Sequence, residues 1–154
     1  MSNWNWDAGM FMTPAIAIAC GFLLGWNRER KGRAAGLRTQ ILVTLGSAVL
    51  VMGGMKMKAM FPDEPFDLTR VISGVAGGIG FLGAGSIIRM EDGVRGVTTA
   101  ATVWMSGAIG ILCGMQWYAM ALITVGYTLL VLTLFGLISD RLEPKEERQK
   151  SDSQ

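Results

Sequence analysis

Six glycines fall in one short stretch of the chain: Gly74, Gly77, Gly78, Gly80, Gly83 and Gly85. Two kinds of chemistry suit such a run. Small residues let helix backbones approach closely in a membrane, and Gly74 and Gly78 have the G-x-x-x-G spacing for it. Alternatively, a locally unwound helix could turn free carbonyls toward a polar cavity, as transporters do for ions. Gly77, Gly80 and Gly83 step by three, so the glycines spread around the helix rather than forming one ridge. A soluble phosphate loop is not expected, because no strand precedes the run and no Gly-Lys-Ser/Thr follows it.

A second set pairs arginines with hydroxyls: Arg38 with Thr39, and Arg89 and Arg95 with Thr98 and Thr99. Arginine holds carboxylate or phosphate bidentately, so these six residues form a candidate anion or carboxylate site. The alternative reading is that the arginines only signal topology. Magnesium needs octahedral oxygen ligands and usually keeps several waters. The carboxylates available to it, Glu29, Asp67, Glu91 and Asp92, all lie near the ends of apolar runs. Asp67 is the metal candidate, but a helix cap or a pair with Arg70 is the preferred reading of it. With no histidine in the chain, zinc sites, His-based triads and haem ligation lack support. No nucleophile–base pair is visible, so no enzyme is expected. Cys20 and Cys113 lie in apolar runs and read as small buried hydrophobes; no disulfide is expected.

The elements that must carry these residues are apolar runs. The chain has 154 residues, 51 % of them apolar and 17 % charged, well under the soluble norm of about 25 % charged. A membrane helix needs about 20 apolar residues. Five runs qualify, at 10–26, 39–57, 71–88, 97–115 and 117–139, and no charged residue sits deep in any of them. Lys56 and Lys58 are near one end, where they can snorkel. The expected fold is therefore an all-α integral membrane bundle of five transmembrane helices. Residues 1–9 precede the membrane domain at 10–139, and 140–154 form a charged tail that reads as frayed or disordered.

Basic residues set the orientation. With the N-terminus outside, the cytoplasmic side carries eleven of the fourteen Lys and Arg, and the outer side keeps Lys56, Lys58 and Arg70. That asymmetry predicts a cytoplasmic C-terminus. Trp4, Trp6, Trp117 and Tyr118 then fall at the outer interface and Trp26 at the inner one. Asp7 and the lack of a basic segment before the first run argue against a cleaved signal peptide. The net charge of +2 gives no footprint for nucleic acid.

The chain also echoes itself. Gly21-Phe22-Leu23, Arg28 and Gly36-Leu37-Arg38-Thr39 lead into the second run, as Gly80-Phe81-Leu82, Arg89 and Gly96-Val97-Thr98-Thr99 lead into the fourth. Both units start outside, which predicts a parallel two-helix repeat with the fifth helix added.

Several of these stretches resemble one family. Arg33-Ala34-Ala35-Gly36-Leu37-Arg38-Thr39-Gln40, Asp67-Leu68-Thr69-Arg70, Gly78-Ile79-Gly80-Phe81-Leu82-Gly83-Ala84-Gly85 and Val94-Arg95-Gly96-Val97-Thr98-Thr99 are similar to motifs of the MgtC/SapB family of bacterial inner-membrane proteins. The resemblance runs from about Cys20 to Gly114. It implies a non-enzymatic, multi-pass inner-membrane protein linked to adaptation to low magnesium, which regulates another membrane complex such as the ATP synthase. The glycine-rich faces themselves add the expectation of a homo-oligomer. It implies no cofactor, with Mg2+ as the ion to test. The alternative function is a magnesium or small-ion transporter with its path along the third helix. Two departures matter. Asn27 stands where the family often has the first Glu of Gly-x-Glu-Arg-Glu, and the soluble C-terminal domain of many members does not follow the fifth run.

Overall fold

The computed structural model describes residues 8–91 and 93–136. Five helices follow in chain order: α1 (Ala8–Arg30), α2 (Leu37–Met60), α3 (Leu68–Ala84), α4 (Val97–Gly114) and α5 (Tyr118–Leu130). A π-helical turn, Val131–Phe135, continues α5. Residues 1–7 of the N-terminal segment and the charged tail at 140–154 lie outside the described residues.

Four of the helices, counting α5 with its π-turn, are long and apolar enough to cross a membrane. α3 has 17 residues, about 25 Å at the helical rise, the short end of the spanning range. The architecture is an all-α membrane bundle. Large apolar side chains such as Phe11, Phe81 and Tyr127 are exposed on its outside, where lipid tails would meet them.

The third run ends earlier than its composition suggests. Ser86 spends both its N–H (3.0 Å) and its hydroxyl (2.7 Å) on the Gly83 carbonyl, which closes α3 at Ala84. Ile88 therefore leaves the helix for β1 (Ile88–Met90), which pairs antiparallel with β2 (Gly93–Arg95). The small hairpin, with Ile88 opposite Arg95, joins α3 to α4.

Glycine contacts decide which helix is central. On α1, a Cβ at Gly21 would lie 2.7 Å from Ile41 Cα, and one at Gly25 would lie 2.6 Å from Leu37 Cα, so α2 crosses there backbone to backbone. On α4, Gly110 rests on Thr44 and Ser47, while a Cβ at Gly114 would lie 2.7 Å from Ala48 O. Gly107 takes the Ile79 side chain of α3. α4 thus touches all four other helices, and it, rather than the glycine-rich α3, is the centre of the bundle. Close approach through small residues is the expected membrane packing mode, since apolar area alone gives no preference for a neighbour over lipid. Ala17, Cys20 and Leu24 of α1, Ala48 of α2, Ile109 and Cys113 of α4, and Ala121 and Val125 of α5 fill the core between them.

α3 lies at the edge, packed against α4 and α2. It is regular helix from Leu68 to Ala84, so the glycine run is not unwound. Asp67 starts it, its carboxylate accepting the Thr69 N–H at 2.9 Å and the Thr69 hydroxyl at 2.6 Å.

Candidate functional site

One end of the bundle gathers the C-terminus of α1, the N-terminus of α2, the hairpin and the N-terminus of α4. Two local motifs shape it. α1 stops in a Schellman turn: Arg33 N–H bonds Arg28 O at 3.1 Å and Gly32 N–H bonds Glu29 O at 3.0 Å, with Gly32 at φ +60°. This pairing of bonds with glycine in the left-handed region is a standard helix stop. Glu29 then reaches across the turn and accepts the Leu37 N–H at 3.0 Å. The carboxylate satisfies one orphan donor of α2 and complements its dipole.

Two buried side chains hold the intervening loop. Arg28 donates from Nε (3.3 Å) and Nη2 (3.0 Å) to Ala34 O, and Nη2 also donates to Thr99 Oγ1 at 2.5 Å. Gln40 donates from Nε2 to Ala35 O at 3.0 Å and accepts from the Ser106 hydroxyl. Arg28 links α1 to α4, and Gln40 links α2 to α4. Thr99, Thr102 and Ser106 recur at helical spacing on the face of α4 that meets both, and all three are buried. Thr44, Ser47 and Thr102 return their hydroxyls to carbonyls one turn back. No buried polar side-chain atom among the described residues lacks a partner.

The six arginines and threonines singled out in the sequence divide. Thr99 is buried against Arg28, whereas Arg38, Thr39, Arg89, Arg95 and Thr98 are exposed around the same end. Arg89 and Arg95 sit on the two hairpin strands, and Arg38 and Thr39 in the first turn of α2. Arg28, Gln40 and Ser106 are the residues the sequence reasoning left aside. The Thr99–Thr102–Ser106 stripe was the signal that could have found them.

The six glycines divide too. Gly83 approaches Ala100, and Gly85 caps the end of α3. Around Gly74, Gly77, Gly78 and Gly80, an added Cβ would meet nothing within 4 Å. Gly74, Gly77, Gly78 and Phe81 share one outward face, and Phe81 is 80 % exposed on it. Beside this edge helix, Ile72, Ala76 and Ile79 of α3 and Trp104, Ala108 and Ile111 of α4 line an apolar groove of about 340 Å³.

Asp67 lies at the opposite end of α3. Besides capping the helix, it faces Arg70 at 3.8 Å in an exposed pair. The hydrogen bonds from Thr69 hold its carboxyl below the usual carboxylate range. Among the described residues no group of three His, Cys, Asp or Glu is placed to hold a metal ion.

Comparison with known proteins gives a consistent picture. The model of the MgtC family matches residues 15–141. Protein SrpB of Synechococcus elongatus is 38 % identical over 139 residues, covering 82 % of this chain and 75 % of the relative. Protein MgtC of Salmonella typhimurium is 43 % identical over 118 residues, 73 % of this chain and 48 % of the relative. YhiD of Escherichia coli, whose name makes it a candidate magnesium transporter, is 36 % identical over 132 residues, 84 % of this chain and 61 % of the relative. The chain thus spans about half the length of the Salmonella protein. No solved structure matches it. With most of its length matched by the family and its helices built to cross a bilayer, this multi-pass membrane protein belongs to the MgtC family.

Proposed function

We propose that the protein is a non-enzymatic regulator of the bacterial inner membrane that acts by binding another membrane complex, such as the ATP synthase, in adaptation to low magnesium. The carrying observation is the outward face of α3. Glycines that pack against nothing among the described residues leave room for a helix from outside the bundle. The interior supports the same reading. Leu24 and Ile109 fill it, and its polar groups bond one another rather than lining an open path. The basic end faces the cytoplasm in this reading, because Arg28, Arg30, Lys31, Arg33, Arg38, Arg89 and Arg95 gather there. The same face of α3 serves self-association, and Mg2+ is a ligand to test rather than a resident cofactor.

The experiment is capture of membrane partners and of a second tagged copy by the wild type and by Gly78→Leu. Capture abolished in a variant that still folds supports the reading; capture unchanged by Gly78→Leu and Gly74→Leu sinks it.

A second reading, transport of magnesium or another small ion along α3, has the name of the E. coli relative in its favour. Proteoliposomes holding the purified protein and a trapped magnesium-sensitive dye separate the two. Protein-dependent flux, abolished in Gly78→Leu and weakened in Asp67→Asn, would make transport the function.

A further inference from the structure

The hairpin between α3 and α4 presents apolar side chains to its surroundings. Every residue of β1 and β2 is exposed. Ile88 is 58 % and Val94 56 % exposed, and Ile87 and Met90 are exposed beside them. Residues directly opposite in an antiparallel ladder share a face, and faces alternate along each strand. Ile88, Met90 and Arg95 therefore stand on one face, and Arg89 and Val94 on the other. A sheet in water covers its apolar face and solvates its polar one. Here each face mixes apolar side chains with an arginine, and neither is buried. A lone two-stranded hairpin is at best marginally stable in water, so this one needs a medium that suits both kinds of side chain.

The length of α3 indicates that medium. At the far end of α3, Asp67 caps the helix and Arg70 is exposed beside it, so the apolar part begins at Val71. Residues 71–84 span about 21 Å at the helical rise, against a hydrocarbon thickness of about 30 Å. The shortfall of about 9 Å falls to the segment 85–88. At about 3 Å per residue that segment is long enough to bring Ile88 to the boundary. The apolar surface is also continuous, since Phe81 and Leu82 near the end of α3 are exposed to the same side of the chain's path into Ile87 and Ile88. Open strand edges do not occur in hydrocarbon, whereas headgroups and their water can satisfy them. Arginine suits the same level, because its stem lies along apolar chains while its guanidinium holds phosphate.

We propose that the hairpin is an interfacial anchor seated in the headgroup layer of the phospholipid bilayer. Ile88, Met90 and Val94 meet the acyl-chain boundary, Arg89 and Arg95 reach lipid phosphates, and Glu91 at the turn stays in water. The link between α3 and α4 is then part of the membrane surface rather than a loop in free solution. This goes beyond the regulatory reading and does not depend on what the outward face of α3 binds.

The test places one nitroxide at a time on the full chain in phosphatidylcholine–phosphatidylglycerol vesicles. Ile88→Cys and Val94→Cys carry the label in the hairpin. Phe81→Cys is the lipid-facing reference, and Glu64→Cys, exposed in the turn between α2 and α3, is the aqueous one. Cys20 and Cys113 are buried, and the unsubstituted chain treated alike supplies the blank. Paramagnetic resonance compares collisions with oxygen, which concentrates among acyl chains, and with an uncharged nickel chelate, which stays in water. The oxygen-to-nickel ratio at positions 88 and 94 should lie well above that at position 64 and below that at position 81. A ratio at either hairpin position equal to that at position 64 makes the hairpin an aqueous loop and overturns the proposal. An immobilised label shielded from both reagents overturns it too, since protein rather than lipid would then cover the hairpin. If Ile88→Cys does not fold, Met90→Cys takes its place.

Discussion

Alanine at Gly114 should weaken the bundle, whereas alanine at Gly78 should leave it intact or strengthen it. The new Cβ at position 114 would lie 2.7 Å from both Ala48 O and Val51 Cβ, about 0.7 Å inside the 3.4 Å at which ordinary packing begins. Backbone sits on one side of that clash, so α2 and α4 must separate. Overpacking of this kind costs about 1–3 kcal/mol. The separation also loosens Gly110 against Thr44 and Ser47, and a gap of about 0.5–1 Å forfeits a quarter to a half of the dispersion attraction between each pair of atoms it parts. At Gly78 the Cβ meets nothing, and alanine gains about 1 kcal/mol of helix propensity on the aqueous scale. The two variants should therefore differ by about 2–4 kcal/mol, with opposite signs relative to wild type. Unfolding of the purified monomer by SDS in mixed micelles, followed by circular dichroism, reads the difference. Equal destabilisation by both changes, or no effect at Gly114, would refute the assignment of inner and outer glycine faces.

Three further outcomes follow from the geometry. Ser106→Ala leaves Gln40 Oε1 without its donor; it should cost about 0.6–2 kcal/mol, and in a double-mutant cycle with Gln40→Leu the double change should cost less than the sum. Gly96→Ala puts a Cβ at φ +89° against the Ser86 carbonyl, and should lower stability by more than about 1 kcal/mol in the same SDS titration. The Asp67 cap should show in pH dependence. Because the Thr69 bonds lower its folded value below the ordinary 3.8, its contribution is complete above that value and disappears as pH falls through the lowered one. The wild-type thermal midpoint should drop below about pH 4 by more than that of Asp67→Ala.

The helices were legible because a run of apolar residues near bilayer length permits few other structures. The end of α3 was not. Ile87 and Ile88 extend the apolar run, which hides the turn at Gly83–Ser86. Glycine spacing was legible and its direction was not. Gly21–Gly25, Gly74–Gly78 and Gly110–Gly114 share one spacing, and among the described residues only the first and last pairs meet a neighbouring helix. In water the polar face of a helix would betray its outside; in a bilayer both sides are apolar, and the pattern carries no arrow. Asp67 read correctly as an alternative cap because a cap is a local event. Arg28 was hidden among the many cations that signal topology, and its burial depends on Thr99, seventy-one positions away.

The π-turn at the end of α5 has an effect on phase. Within Val131–Phe135 each N–H reaches one residue further back than in an α-helix, so the segment holds a surplus residue. Gly136, the last described residue, is therefore rotated about 100° from where an unbroken α-helix would put it. Lys31 donates to Leu132 O at 3.1 Å inside this turn, which ties the offset to the loop after α1. Removing one residue from 131–135 would turn the segment into plain α-helix, keep Tyr118–Leu130 in place and bring Gly136 to another side of the helix. The side on which Gly136 stands is thus written in a count of residues rather than in their kind.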